Sequence, residues 1–175
     1  FNRPARADLL GGRAVAVALA DAGVNIVIHY NTSRDDAEQT AAAIQAKGAR
    51  SWLVQTNLSD MDAAQRLVSK AVDEAGPLDF LINNAADFPA ARLMDFTPED
   101  AIEALTLNAL APCLIARAFA QQERPGAIVN MLDARMVDYD REHVPHHAAK
   151  RMLFSFTRMM ALEFAPAIRV NAVAP

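Results

Sequence analysis

Several residue types that stabilise small extracellular or metal-bound domains are scarce in this sequence of 175 residues. Its single cysteine, Cys113, has no partner for an internal disulfide, and one cysteine with four histidines argues against a structural zinc site. Aromatic residues make up only 6% of the chain, whereas hydrophobic residues as a whole make up 53%. This balance predicts a folded chain with an aliphatic, alanine-rich interior.

A strong excess of one charge and long apolar runs are also missing. The net charge of -4 gives no electrostatic reason to expect a nucleic acid or an anionic membrane as the main partner. No stretch of about 18 residues is free of charge, so we expect no membrane-spanning helix. No signal-peptide pattern opens the chain, and with the lone cysteine this favours the cytoplasm. The length fits one domain over residues 1–175.

Short apolar runs alternate with longer segments of helical period along the whole chain. The runs are rich in Val, Ile and Leu, as is typical of strands buried on both faces of a parallel sheet. The pattern predicts an α/β fold with a doubly wound parallel sheet. Residues 1–4 do not fit a buried strand, because they contain a proline and a charged residue. The predicted strands cover residues 25–30, 51–57, 78–85, 126–132 and 168–173.

Capping and breaking residues mark the predicted helices. We expect Ser59 to cap one helix and Gly76 to end it in a left-handed turn. The run Thr97-Pro98-Glu99-Asp100 is a helix start signal, and Pro112 should bend the long helix that follows. The predicted helices cover residues 12–22, 36–47, 59–76, 97–120 and 147–164.

Polar residues cluster where a parallel sheet binds ligands, at the carboxyl ends of its strands. Asn83 and Asn84 close the third predicted strand, and Asn108 should face inward from the next helix. Asp133 follows the fourth strand, and the spacing of His146 and Lys150 puts both on one face of a helix. The asparagines either position a ligand or tie strand ends to the helix backbone, and the sequence leaves both open.

These residues and their spacing resemble the short-chain dehydrogenase/reductase family, in which a polar residue after a strand precedes a proton donor and a lysine four positions on. The run Asn83-Asn84-Ala85-Ala86 is similar to the family's Asn-Asn-Ala-Gly strand end, and Asn108 matches its helix asparagine. Residues 169–175 resemble the segment before its Pro-Gly turn. The resemblance covers roughly residues 5–175, and the motifs together are specific.

Two branches of the family are similar to parts of this chain. Residues 130–133 look closest to pteridine reductases, where an Asp replaces the usual catalytic serine. Residues 29–38 also resemble 3-oxoacyl-carrier-protein reductases. Either resemblance implies a Rossmann-like fold, incomplete at both ends, and hydride transfer from NADPH to a carbonyl or a pteridine-like C=N bond.

The resemblance assigns roles to individual residues. His146 stands where the family has its tyrosine proton donor, Lys150 holds the nicotinamide ribose, and Asp133 orients the substrate or the donor. The implied catalytic residues are Asn108, Asp133, His146 and Lys150. The implied cofactor contacts are Gly11, Gly12, Tyr30, Ser33, Arg34, Asn57, Leu58, Asn84, Ala85 and Lys150.

The cofactor preference follows from the end of the strand at residues 25–30. No acid stands there to bind a free ribose 2′-hydroxyl, and Arg34 with Ser33 can meet a 2′-phosphate instead, so NADP(H) is favoured over NAD. Alternatively, Arg34 is an exposed charge in the first turn of a helix.

Three departures from the family pattern weaken the enzyme interpretation. His146 replaces the tyrosine, and the nearby Lys150 should disfavour its charged form. Of the family's phosphate-loop glycines only Gly12 is retained, with Gly11 as partial compensation. The chain stops where the family continues into a substrate-covering loop, so we expect either a fragment or a degraded relative.

Three functional hypotheses therefore remain open. The first is an NADP(H)-dependent reductase of a small-molecule carbonyl or pteridine. The second is a non-catalytic relative that binds a nucleotide or a partner, and the third treats the polar residues as purely structural. The helices over residues 98–120 and 147–164 carry apolar residues on more than one face, which predicts a homodimer or homotetramer or a Met-rich core. We expect Tyr139 to be a surface loop residue, and His143 and His147 to have surface or capping roles.

Overall fold

The computed structural model describes residues 6–136, 138 and 140–175. Its elements are α1 (Arg6–Asp21), β1 (Ile26–Tyr30), α2 (Arg34–Gln45), β2 (Ser51–Gln55), α3 (Met61–Ala75), β3 (Phe80–Asn83), α4 (Pro98–Leu105), a π-helical turn (Thr106–Leu110), α5 (Ala111–Ala120), β4 (Gly126–Met131), a short 3-10 helix (Ala134–Met136), α6 (Val144–Glu163) and β5 (Ile168–Val173). All five predicted strands are present, and every strand pairing is parallel. The predictions for residues 1–4 and Tyr139 lie outside the described residues.

The chain forms two compact units, Phe1–Pro77 and Leu78–Pro175. In the first unit, β1 and β2 pair in parallel along their whole length. Ala20, Ile44 and Ala49 form its buried cluster, against which Ile26 and Ile28 of β1 pack. Full burial of β1 was expected, but its residues are only partly buried, because β2 is its only partner among the described strands. That the two units make up one domain stays a prediction.

Helix α1 begins earlier than the sequence predicts. The expected start is Gly12, but α1 begins at Arg6, so Gly11 and Gly12 lie in its interior. The residues before the glycines, RADLL, are mostly good helix formers, and they extend the helix at a cost of about 1 kcal/mol for each interior glycine. The predicted boundary is wrong, and neither glycine stands at a helix start, where free N–H groups attract phosphate.

Helix α3 is capped by a different residue from the one that the sequence predicts. The side chain of Asp60, not that of Ser59, accepts a hydrogen bond from the Ala63 amide at 3.0 Å. Asp satisfies a helix start as well as Ser does, and its charge also suits the positive end of the helix dipole. At the other end Gly76 follows the helix with φ of 83°, a region that favours glycine.

We expect Asp60→Ala to lower the free energy of unfolding by about 1 kcal/mol, because a free helix N–H loses its acceptor. Urea denaturation measures this loss, and Ser59→Ala is the matched control, which should change the free energy by less than about 0.5 kcal/mol. The reverse ranking of the two variants would show that Ser59 is the cap.

The second unit holds a three-stranded parallel sheet in the order β3-β4-β5, with β4 in the centre. Helix α6 packs against β5 and the π-helical turn, and α5 packs against β3. Ala109, Leu132, Ala149 and Leu153 form a buried cluster between these elements. The two alanines are fully buried, so the π-helical turn and α6 approach each other closely beneath the carboxyl edge of the sheet.

The long helix over residues 98–120 begins with the predicted capping box, in which Thr97 and Asp100 bond each other's backbone amides. The irregularity expected at Pro112 takes the form of the π-helical turn just before it, where the Ala111 amide donates to the carbonyl of Thr106. Proline has no N–H, so the helix before it lacks a regular partner for one carbonyl. Asn108 therefore lies on a widened turn.

Among the described residues, the segment Pro98–Ala120 is the one helix that is long and apolar enough to cross a membrane by length and composition alone. It has 23 residues, and an 18-residue stretch of it has a mean hydropathy of 1.4 and is 44% buried. That the chain has no membrane-spanning helix stays a prediction. The helix packs against α6 and β3, as a core helix of an α/β unit does.

Candidate active site

The candidate catalytic residues all belong to the second unit and meet where β4 ends. Asp133 follows β4 after Leu132, while His146 and Lys150 lie on consecutive turns of α6. Leu132 and Ala149, which precede Asp133 and Lys150 in the chain, are buried in the core. A carboxylate, an imidazole and a lysine therefore lie around the end of β4, and their catalytic role stays a prediction.

Asp133 and His146 are in direct contact. The Nε2 atom of His146 lies 3.4 Å from Oδ2 of Asp133. The histidine side chain is 4% exposed and the aspartate side chain is 21% exposed. Asp133 is thus the side of the pair that solvent reaches.

The other ring nitrogen of His146 binds the loop after β3. Its Nδ1 atom lies 2.7 Å from the carbonyl oxygen of Asp87. A carbonyl oxygen only accepts hydrogen bonds, so Nδ1 carries a proton and donates it. The proton that His146 gains or loses therefore resides on Nε2, which faces Asp133.

Burial lowers the pKa of His146 below its ordinary value of 6.5, and it is the largest cause. The bond to the Asp87 carbonyl and the charge of Asp133 raise the pKa, whereas the charge of Lys150 lowers it. The sequence predicted the direction from Lys150 alone, and the direction is confirmed. The imidazolium form is a stronger acid than a free histidine, but it is less populated at neutral pH.

Lys150 is almost fully buried, and its Nζ donates a hydrogen bond of 2.7 Å to the carbonyl of Met131, the last residue of β4. Keeping an ammonium out of water is costly, and such groups are usually retained where their charge is used. Its position one turn beyond His146 keeps a positive charge at the same edge of the sheet.

The asparagine side chains form two separate sets of hydrogen bonds. Asn83 donates to the side chain of Asn130 at 2.8 Å and to the carbonyl of Pro112 at 3.3 Å, so it ties β3 to β4 and α5. Asn130 in turn donates to Thr157 of α6 at 2.9 Å. This buried network is structural, in line with the second of the two interpretations left open for these side chains. Asn84 and Ala85 follow β3 at the carboxyl edge and are partly exposed.

Asn108 binds a single residue with both ends of its side chain. Its Oδ1 accepts from the Asp87 amide at 3.0 Å, and its Nδ2 donates to the Asp87 carbonyl at 3.2 Å. The sequence predicted that Asn108 lies near the site but did not predict its contact with Asp87. The contact is made by the Asp87 backbone, so it does not depend on the residue type at that position.

Phe88 is another neighbour that the sequence missed. Its half-exposed ring stacks on His143 with centroids 3.7 Å apart, and it meets His146 edge-on at 4.6 Å. The ring therefore shields His146 from water. An aromatic residue just after the Asn-Asn-Ala-Ala run is a signal that could have indicated this contact.

The neighbouring histidines depart in part from their expected roles. His143 occupies the N-cap position of α6, but its side chain makes no capping hydrogen bond, and its Nδ1 lies 2.9 Å from Asp140. His147 is buried, so the expectation of a surface position is wrong. The amide of Glu142 and the side chain of His143 lower the pKa of Asp140 to about 2, which keeps it ionised at any working pH.

Apart from Gly11 and Gly12, the candidate cofactor residues of the first unit lie at the carboxyl ends of β1 and β2. Tyr30 ends β1, Ser33 and Arg34 open α2, and Asn57 and Leu58 follow β2. Arg34 is exposed, and its Nε donates to Glu38 at 2.7 Å, as expected for a first-turn charge. A guanidinium has further N–H donors besides Nε.

The family to which this arrangement belongs is established by comparison of sequences. The sequence model of a family described as enoyl-(acyl carrier protein) reductase matches residues 12–175. The chain belongs to the short-chain dehydrogenase/reductase family. The resemblance predicted from the strand-end motifs and from the spacing of Asp133, His146 and Lys150 is confirmed.

Curated relatives agree with this assignment. The chain is 32% identical over 170 residues to a 3-oxoacyl-[acyl-carrier-protein] reductase of Staphylococcus aureus, a match that covers 94% of this chain and 68% of the relative. It is 32% identical over 167 residues to an uncharacterised oxidoreductase of Bacillus subtilis, with 94% and 58% covered. The chain thus spans about three fifths to two thirds of these relatives.

Solved structures of similar fold confirm the predicted fold class. FolM alternative dihydrofolate reductase 1 from Brucella canis, solved in complex with NADP, superimposes with a TM-score of 0.84 at 28% identity. The superposition covers 93% of this chain and 68% of that protein. The Rossmann-like α/β fold with a parallel sheet is therefore shown.

Proposed function

We propose that the protein is an NADP(H)-dependent reductase that transfers hydride to a carbonyl or a pteridine-like C=N bond. The observation that carries the proposal is the contact between Nε2 of His146 and Oδ2 of Asp133, with Lys150 one turn away. An acid, its partner and a buried cation meet at the carboxyl edge of a parallel sheet, where such folds bind ligands. The pteridine alternative is supported by the likeness to FolM and by Asp133 at the position of the usual serine.

The residues present fit the two ends of NADP(H) better than the diphosphate between them. The buried cation of Lys150 and the polar atoms at the end of β4 suit a nicotinamide ribose, and Arg34 suits a 2′-phosphate. Gly11 and Gly12 do not supply a helix start for the diphosphate, because α1 begins at Arg6. We therefore propose that the nicotinamide and 2′-phosphate ends carry most of the affinity.

When bound, NADPH supplies the hydride, and the protein supplies the proton. Nδ1 of His146 keeps its proton on the Asp87 carbonyl, so the proton between Nε2 and Asp133 Oδ2 is the one that the site can give up. Asp133 is the more exposed member of the pair, so the proton passes from Nε2 of His146 to Oδ2 of Asp133 and from there to the substrate. Burial makes the imidazolium a stronger acid, which favours transfer.

The assembly of the protein is a further proposal. Ile102 on α4 and Met159 and Leu162 on α6 are 63%, 59% and 83% exposed, and large apolar side chains at such exposure support a homodimer or homotetramer. Other apolar residues of α6, such as Leu153 and Met160, belong to the core. A cytoplasmic location and the lack of nucleic-acid and membrane partners stay predictions.

A second candidate function is a catalytically impaired relative that keeps nucleotide or partner binding. The position of Gly11 and Gly12 inside α1 favours it, since the two glycines do not form a helix start that could bind the diphosphate.

A turnover measurement separates the two candidates. We expect the protein to consume NADPH when mixed with a panel of diketones, quinones and oxidised pteridines, and to consume NADH more slowly. NADPH binding without consumption on any member of the panel would favour the impaired relative.

A further inference from the structure

The carbonyl oxygen of Asp87 is shared by two side chains from different helices. It accepts from Nδ1 of His146 at 2.7 Å and from Nδ2 of Asn108 at 3.2 Å. A carbonyl oxygen has two lone pairs, so both are used. Because this oxygen accepts from Nδ1, its position determines that the neutral His146 ring is protonated on Nδ1 and not on Nε2.

Asn108 is built to hold that oxygen in place. The side-chain amide of Asn108 donates to the Asp87 carbonyl and accepts from the Asp87 backbone N–H. It therefore binds both polar groups of the Asp87 backbone. The task needs a donor and an acceptor on one short side chain, and among the common side chains of this length only asparagine has both. Asn108 is fully buried on the π-helical turn, and such turns often occur at functional sites.

The rest of the loop is anchored independently of Asn108. The Ala91 amide donates to the carbonyl of Glu142, the Val144 amide donates to the carbonyl of Ala91, and Arg92 pairs with Glu142 at 2.6 Å. These bonds tie the loop to the start of α6. Removing the Asn108 amide should therefore free the Asp87 peptide without releasing the whole loop.

We infer that Asn108 is a positioning residue that fixes the ring tautomer of His146 through the backbone of Asp87, so that the exchangeable proton lies on Nε2 beside Asp133. The inference deepens the proposed function, because it concerns the orientation of the proposed proton donor. The geometry itself is present without cofactor or substrate, so it is testable even if the reductase proposal fails.

The test is nuclear magnetic resonance of the full chain labelled with ¹⁵N-histidine, without cofactor, at a pH where His146 is neutral. The two ring nitrogens of a single tautomer have widely separated shifts, and His146→Gln assigns the signals. In the unmodified chain we expect His146 to be protonated on Nδ1 only. In Asn108→Ala the two shifts should move toward each other, as tautomers mix. A neutral His146 protonated on Nε2 in the unmodified chain would overturn the inference at once.

Asn130→Ala is the matched control, since Asn130 is also a fully buried asparagine but bonds Asn83 and Thr157 instead of Asp87. It should leave the His146 shifts unchanged. If Asn108→Ala does not fold, Asn108→Ser replaces it, because a serine hydroxyl is too short to span both atoms of Asp87. Unchanged shifts in the folded Asn108 variant would contradict the inference. So would failure of both Asn108 variants to fold while Asn130→Ala folds, because the amide would then be structural.

Discussion

Replacing His146 with glutamine is expected to lower the rate of NADPH-dependent reduction by about 10²- to 10⁴-fold, the usual loss when a positioned acid is removed. Glutamine fills much of the imidazole volume, but it has no proton to give at Nε2. Rates are measured with a quinone or diketone that the unmodified protein reduces, and NADPH affinity should stay within a few fold.

His147→Gln is the matched control for this variant. His147 follows His146 on α6 and is equally buried, with ring centroids 5.6 Å apart, yet it does not contact Asp133. It should therefore cost stability without a comparable loss of rate per folded molecule. Equal rates in His146→Gln and the unmodified protein would mean that the proton comes from another group.

The pH dependence of the rate provides a second readout of His146. Burial lowers the pKa of His146 below 6.5, so the proton on Nε2 is lost as pH rises through that lowered value. The rate should fall by about tenfold per pH unit above that pKa, and His146→Gln should flatten the profile.

The folded fraction needs to be followed as well, because burial also lowers the pKa of His29. A histidine whose pKa is lowered by folding takes up a proton more readily in the unfolded chain. The free energy of unfolding should therefore be at its full value above pH 6.5 and decrease as the pH falls below that value.

Replacing Lys150 with methionine is expected to weaken cofactor binding. Methionine keeps the length and the apolar stem of the side chain but removes the buried charge. We expect NADPH to bind about 10- to 100-fold more weakly, the value of one or two lost hydrogen bonds to a charged group. The pKa of His146 should rise, because the positive charge of Lys150 lowers it.

Fluorescence titration measures the affinity, and ¹⁵N-histidine spectra measure the pKa. Lys70→Met, which removes an exposed lysine of α3, is the matched control and should change neither quantity. A Lys150→Met protein that binds NADPH as tightly as the unmodified chain would remove Lys150 from the proposed cofactor site.

The sequence predicted those parts of the fold that depend on local chemistry. The alternation of Val- and Ile-rich runs with helical segments located all five strands, and Thr97 with Asp100 located a helix start. The positions of Asp133, His146 and Lys150 were predictable because a strand end and an i, i+4 pair on one helix fix where these residues lie.

Other features of the fold and the site depend on contacts that cannot be inferred from residue type. Asp60 and Ser59 are both good helix caps, so their order was decided by the backbone path into α3. The burial of His147 and the grip of Asn108 on Asp87 arise from how the loop after β3 packs on α6. The helix through Gly11 and Gly12 shows that neighbouring helix formers outweigh the cost of two glycines.

The proposed reductase must bind NADP(H) as its cofactor. Thermal unfolding of the unmodified protein with increasing NADPH measures this binding. At 100 times the dissociation constant the bound protein should gain about 2.7 kcal/mol, which raises its unfolding temperature by roughly 5 to 10 °C, and NADH should give a smaller rise at the same concentration. An unfolding temperature that does not change with saturating NADPH would contradict the reductase proposal.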